Sequence, residues 1–346
     1  MKKYFIIIVT LILAFSCNKE KQEVIKEEKS NEVNVYSHRH YDIDKEIFAD
    51  FEKETGIKIN LLKSDAKQLI TKIQQEAENT PADILITVDA GNLWSAKKAG
   101  ITESVSSQVL NDAIPANLRD PEGHWYGLTK RGRIVVYSKE RVNKEELSTY
   151  EDLTDPKWKG KLLVRSSSNM YNQSLLASII ANHNSEVATK WAADLVANFA
   201  REPKGNDRDQ VKAIAAGEGD IAIINTYYMG KLLNSDNPQE VEAGKSVGVF
   251  FPNQDDRGSH INISGAAFIK NSPNRANAIK LVEYLTTKKV QSKYAKGNHE
   301  YPINKDAEVS ELLKSFGEFK EDTLSLENLG KNNKEAVMIF DRVSWK

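Results

Sequence analysis

One cysteine in 346 residues leaves no partner for an intramolecular disulfide and too few thiolates for a zinc or iron–sulfur site built on Cys. Net charge is equally scarce: 48 Lys and Arg against 49 Asp and Glu give a formal -1. No basic field therefore recruits nucleic acid, and no acidic excess describes a solvating tail. There is no G-x-x-x-x-G-K-[ST] phosphate loop, so the chain is not itself an ATPase of that kind. No fixed-period repeat is present. What remains is ordinary globular material, 40% hydrophobic and 28% charged, with length for two domains at roughly 100–200 residues each.

The lone cysteine is informative by position. Lys2 and Lys3 precede an apolar run, Tyr4 to Ser16, that ends at Cys17. Spanning a bilayer takes about 20 apolar residues, whereas a basic start, a shorter apolar core and small residues describe a cleaved secretion signal over 1–16. Ala14-Phe-Ser-Cys17 resembles a bacterial lipobox, which makes Cys17 the lipidated first residue of the mature protein. Asn18 to Glu32 is dominated by Asn, Lys, Glu, Gln and Ser and cannot bury a core. Fully extended, it reaches about 50 Å at ~3.3–3.6 Å per residue, so 17–32 reads as a tether holding the protein at a membrane.

From Val33 onward, short β-branched runs alternate with helical patterns. Strands are expected at 33–36, 57–62, 83–88, 133–137, 162–164, 220–224, 247–251 and 261–269. Ile47, Phe48 and Phe51 share one face of a helix over 44–54, with an Asp to cap it and Gly56 to end it. Further helices are expected near 66–78, 172–182, 209–216 and 275–286. The alternation predicts α/β layers with mainly parallel strands, arranged as two lobes with a ligand crevice between them. The expected ranges are 33–130 plus 253–305 for the first lobe and 131–252 plus 306–346 for the second.

Three strand ends carry the candidate chemistry. Asp220 to Asn225 runs into Tyr227 and Tyr228, and two neighbouring phenols serve one site only if the chain turns there, a turn that Gly230 permits. His38, Arg39, His40 and Tyr41 follow the first strand, and Ser166, Ser167, Ser168, Asn169 and Tyr171 follow another. Each cluster also has a plain structural reading, as tyrosine in a core or as polar residues capping a helix. Several phenols, an imidazole and no thiolate suit a hard trivalent cation, since three phenolates cancel a 3+ charge. Iron(III) fits best; zinc would seek His, Cys and carboxylate, and calcium carboxylates and carbonyls.

The stretches Val35–Tyr41, Ala82–Asp89, Arg165–Gln173, Ile224–Gly230, Asn262–Ala266 and Asn298–Pro302 resemble the ferric-iron-binding proteins of bacterial ABC importers. The resemblance runs from Val33 to the C-terminus and looks closest to the branch with four tyrosines and one histidine. It implies a bilobal periplasmic-binding-protein fold of the type II kind with strand crossovers at a hinge. Its metal ligands would be His40, Tyr41, Tyr171, Tyr227 and Tyr228. His38 stands where relatives tend to have serine and is expected to be a surface residue. Arg131 and Arg133 fall where a strand would cross between lobes; Arg131 could neutralise a phenolate or hold an anion such as carbonate, which is not required, or be a solvated hinge charge. The resemblance further implies a monomer that binds Fe(III), closes, and delivers it to an inner-membrane permease with its own ATPase, performing no chemistry itself. Two alternatives stay open: a receptor for an oxyanion or small organic solute cradled by Ser166 to Asn169, and a surface hydrolase using the serine run, around which no G-x-S-x-G elbow is found.

Overall fold

The computed structural model describes residues 31–346; the expected signal peptide, Cys17 and the tether up to residue 30 lie outside the described residues. The Val- and Ile-rich runs form strands β1 (Glu32–Ser37), β2 (Lys58–Lys63), β3 (Ile84–Val88), β4 (Trp125–Ser138), β5 (Leu162–Leu163), β6 (Ile221–Asn225), β7 (Val247–Phe250), β8 (Ile261–Phe268) and β9 (Tyr301–Pro302). Helices that shape the site are α1 (Asp42–Thr55), α2 (Ala66–Glu76), α3 (Ala90–Lys98), α4 (Gln108–Ala113), α5 (Met170–Asn182), α6 (Ser185–Ala197), α7 (Asp207–Ala215) and α8 (Thr226–Leu233).

Local chemistry explains most of these boundaries. Helix α1 buries Ile47, Phe48 and Phe51 and stops at Gly56, whose φ of 70° is a left-handed conformation that glycine adopts without steric cost. Its expected aspartate cap is absent. Tyr41 occupies the N-cap without a side-chain bond, and Asp44 turns inward to pair with Arg39.

The strand order β2-β1-β3-β8-β4-β6-β5 departs from the parallel expectation. β1 pairs in parallel with β2 and β3, and β5 with β6, but β8 runs antiparallel to β3 and β4, as β4 does to β6 and β7. Strand β4 is the reason. It extends eight residues upstream of the expected start at Arg133, pairing with β8 from Trp125 to Gly132 and then with β6 from Arg133 onward, so one strand serves both halves of a bilobal α/β molecule.

The buried residues form separate cores. Val33, Phe51, Leu85, Trp125 and Phe268 pack in one. Val135, Leu176, Trp191 and Ile223 form a second, and Ile134, Val136, Ile224 and Met229 a third on the opposite face of the same strands, the alternation a pleated strand imposes. The C-terminal segment is split: Leu326 and Leu329 join the first core, while Ile339 and Phe340 join the second.

Candidate functional site

Three strand ends open on a cavity of about 480 Å³ lined by His40, Tyr41, Tyr171 and Tyr228, among others. At the first, the N–H of His38 donates to the Ile86 carbonyl at 2.8 Å, and Arg39 turns inward to a 2% exposed position. Its guanidinium pairs with Asp44 at 3.1 Å and Glu300 at 3.0 Å and lies 4.7 Å from the centre of the Tyr41 ring. A buried ion cluster thus sets the turn that presents His40 and Tyr41.

At the second, β5 leads through Arg165 to α5, where the Asn169 side chain accepts from the N–H of Tyr171 at 3.1 Å and caps the helix. At the third, β6 ends at Asn225 and α8 begins at once. Tyr227 and Tyr228 therefore project from a helical first turn, about 100° apart, with ring centres 4.3 Å apart. Gly230 is not the turn. It lies inside α8, and what it permits is the close approach of His299, since a Cβ there would sit 2.4 Å from His299 Cγ.

The five candidate residues share one neighbourhood. The Tyr227 hydroxyl donates to the Tyr171 hydroxyl at 3.1 Å. The Tyr41 ring stands edge-on to Tyr227 at 6.3 Å, and His40 lies 5.2 Å from Tyr41. Burial pushes the phenol of Tyr41 well up, helped by Glu300 and Tyr171. Burial and then Tyr171 do the same to Tyr227 and to Tyr228. The cluster thus keeps those protons at neutral pH.

Cations surround it. Arg131, Arg133 and Arg165 lie 5.5, 5.9 and 5.8 Å from the centre of the Tyr171 ring. Neither Arg131 nor Arg133 is a solvated hinge charge, each being 2% exposed. Arg133 and Arg165 share Asp207 at 2.7 Å. Arg131 is different: it donates to Ser264 at 3.3 Å, while its Nε and Nη2 have no hydrogen-bond partner among the described residues. A buried guanidinium with two donors unpartnered is costly, and the charges of Asp89 and Glu300 nearby offset only part of that cost.

His38 lines the cavity rather than the outer surface, and its Nδ1 is buried without a partner among the described residues. Lys231, 4.4 Å from the Tyr41 ring centre and 5.4 Å from that of Tyr227, was missed by sequence reasoning, although it stands one helical turn beyond Tyr227. The serine run offers a weak anion cradle, because Ser168 is exposed and its hydroxyl and that of the half-buried Ser166 are bonded to each other at 3.0 Å. A G-x-S-x-G pentapeptide does occur elsewhere, at Gly244 to Gly248, but there a helix ends and a strand begins, the reverse of a nucleophile elbow, and Ser246 is bonded to the Ala243 carbonyl. Among the described residues no three His, Cys, Asp or Glu side chains gather as a metal site, and no helix is long and apolar enough to cross a membrane.

Residues 46–321 match the family described as bacterial extracellular solute-binding protein. Iron uptake protein A1 of Synechocystis sp. is 45% identical over 344 residues, 99% of this chain and 96% of the relative. Among solved structures, the Trichodesmium protein in complex with iron and citrate is 49% identical with a TM-score of 0.88, covering 91% of this chain and 100% of that one. The ferric binding protein from Campylobacter jejuni is 45% identical with a TM-score of 0.86, over 91% of this chain and 100% of its own.

Proposed function

The chain belongs to the family of bacterial extracellular solute-binding proteins, and we propose that its cargo is Fe(III), held between the lobes by His40, Tyr41, Tyr171, Tyr227 and Tyr228. The observation that carries this reading is the 3.1 Å contact between the Tyr227 and Tyr171 hydroxyls inside a ring cluster that Tyr41 and Tyr228 complete. Phenolate is a hard anionic donor suited to a small trivalent ion. Four phenolates and a neutral imidazole around Fe(III) leave one negative charge, and Arg131, with two donor nitrogens unpartnered, stands beside Tyr171 and Tyr227 to offset it. An added anion such as carbonate is then not required. Relatives named as iron uptake and ferric binding proteins support the same cargo.

The working cycle follows from the architecture. The two lobes close on iron about β4 and β8, and the closed monomer is presented to an ABC permease whose ATPase supplies the energy. No step of this cycle makes or breaks a covalent bond in the cargo. Export through 1–16 and lipidation at Cys17 would keep the protein at the periplasmic face of a membrane.

Titration of the purified protein with a ferric chelate, followed by visible absorption, tests the cargo. A phenolate-to-iron charge-transfer band that grows to one equivalent is expected, and an iron-loaded protein without visible absorption refutes it. Binding isotherms with phosphate, sulfate and molybdate, expected to be flat, test the oxyanion alternative.

A further inference from the structure

Beyond the phenol cluster, one buried polar contact joins the two halves directly. Asp89 follows β3, whose Ile84, Leu85 and Ile86 pack in the first core, and Ser174 lies on α5 among residues of the second. The Ser174 hydroxyl donates to Asp89 Oδ2 at 2.7 Å, with both side chains buried. The carboxylate is otherwise held rigidly. Asn262 of β8 donates to the same oxygen at 2.8 Å, and the N–H of Gly91 donates to Oδ1 at 2.8 Å. Asn262 in turn accepts from the N–H of Ala90 at 2.9 Å. Asp89 has a φ of 80°, a conformation that a residue with a side chain keeps only where its surroundings over-determine it.

Ser174 is three residues beyond Tyr171, so the two share a helix face. Any rotation that carries Tyr171 and its neighbours onto Tyr41 also carries Ser174 onto Asp89. We propose that the Ser174–Asp89 hydrogen bond is a closure latch, formed only when the halves meet over the phenols, which slows release of the cargo without touching it. Ser174 and Asp89 are thus positioning residues. The latch rests on the iron reading of the cleft only for the identity of what is retained. Its position explains why the Asp89 carboxylate is held by two donors on its own half: a rigid acceptor makes one arriving hydroxyl count.

The test is iron release from the loaded protein into excess chelator, read by loss of the visible band. Ser174→Ala is expected to release iron about tenfold faster, equivalent to about 1.4 kcal/mol, with the band wavelength and the melting temperature of the unloaded protein unchanged. Ser174→Thr should restore the slow rate. Asp89→Asn, which tolerates a positive φ, should also speed release and stands in if Ser174→Ala fails to fold. Release at the wild-type rate from Ser174→Ala, or a shifted band, overturns the latch. A wild type that takes up no iron refutes the cargo instead, and the latch is then read without iron. In a Cys17→Ser background, spin labels at Val109→Cys and Val187→Cys, exposed sites on opposite halves, should show a short-distance population that Ser174→Ala diminishes. Equal distance distributions overturn the latch whatever the cargo.

Discussion

Iron uptake by this cluster has to expel protons, and their number is set by named side chains. Tyrosine ordinarily titrates near pH ~10, and burial pushes Tyr41, Tyr227 and Tyr228 higher still. At pH ~7 each of the three must be ionised against at least three pH units, about 4 kcal/mol apiece and about 12 kcal/mol together, which bonds to the metal have to outweigh. The sign follows directly. Protons leave on binding, so affinity rises with pH and falls in acid, by about tenfold per pH unit for each ligand phenol that gives up its proton. Tyr227→Phe removes one of these protons, so the slope of log affinity against pH should drop by about one and the proton count by one. Calorimetry in buffers of differing ionisation enthalpy, with a ferric chelate of known proton stoichiometry as donor, reads that count. If Tyr227→Phe releases as many protons as the wild type, the reasoning is refuted.

Other outcomes follow from the same geometry. Arg39→Leu leaves Asp44 and Glu300 buried without their cation, so the unloaded protein should lose about 3–5 kcal/mol in urea denaturation; a loss under ~1 kcal/mol would show that the cluster does not hold the Tyr41 turn. Gly230→Ala sets a Cβ against His299 and should cost about 1–3 kcal/mol by overpacking, seen as a lower melting temperature, whereas an unchanged melt would mean that the helix and His299 separate freely. Burial, and then Arg133, hold His260 down to a pKa of about 3, while the unfolded chain takes up the proton near pH ~6.5. Below ~6.5 the unfolded state binds the extra proton, so stability falls with acid through that window. His260→Gln should flatten this dependence by about 2 kcal/mol between pH ~6.5 and ~5, and parallel curves for the two proteins would contradict the burial of a neutral ring.

Periodicity made much of the fold legible. The face formed by Ile47, Phe48 and Phe51 and the stop at Gly56 mark α1 to within two residues at its N-terminus, and the Val- and Ile-rich runs mark the strands. Strand β4 was legible only in its last part. Gly127, Lys130, Arg131 and Gly132 interrupt the apolar alternation, because the strand passes through a polar seam whose charges find partners far along the chain, such as Asp207 for Arg133. Strand direction was misread for a related reason. Alternating helices and strands suggest βαβ units, whereas β8 returns antiparallel between β3 and β4. The tyrosine pair stood out by composition, yet its geometry depends on a helix that starts at Thr226, and the Asp89–Ser174 contact spans 85 positions that no local pattern links.

The most direct measurement is the crystal structure of the iron-loaded protein, with anomalous scattering at the iron edge. A single iron peak within bonding distance of the hydroxyl oxygens of Tyr41, Tyr171, Tyr227 and Tyr228 and of a ring nitrogen of His40 is the expected result. Iron seated elsewhere, or those oxygens dispersed around no common centre, would contradict it.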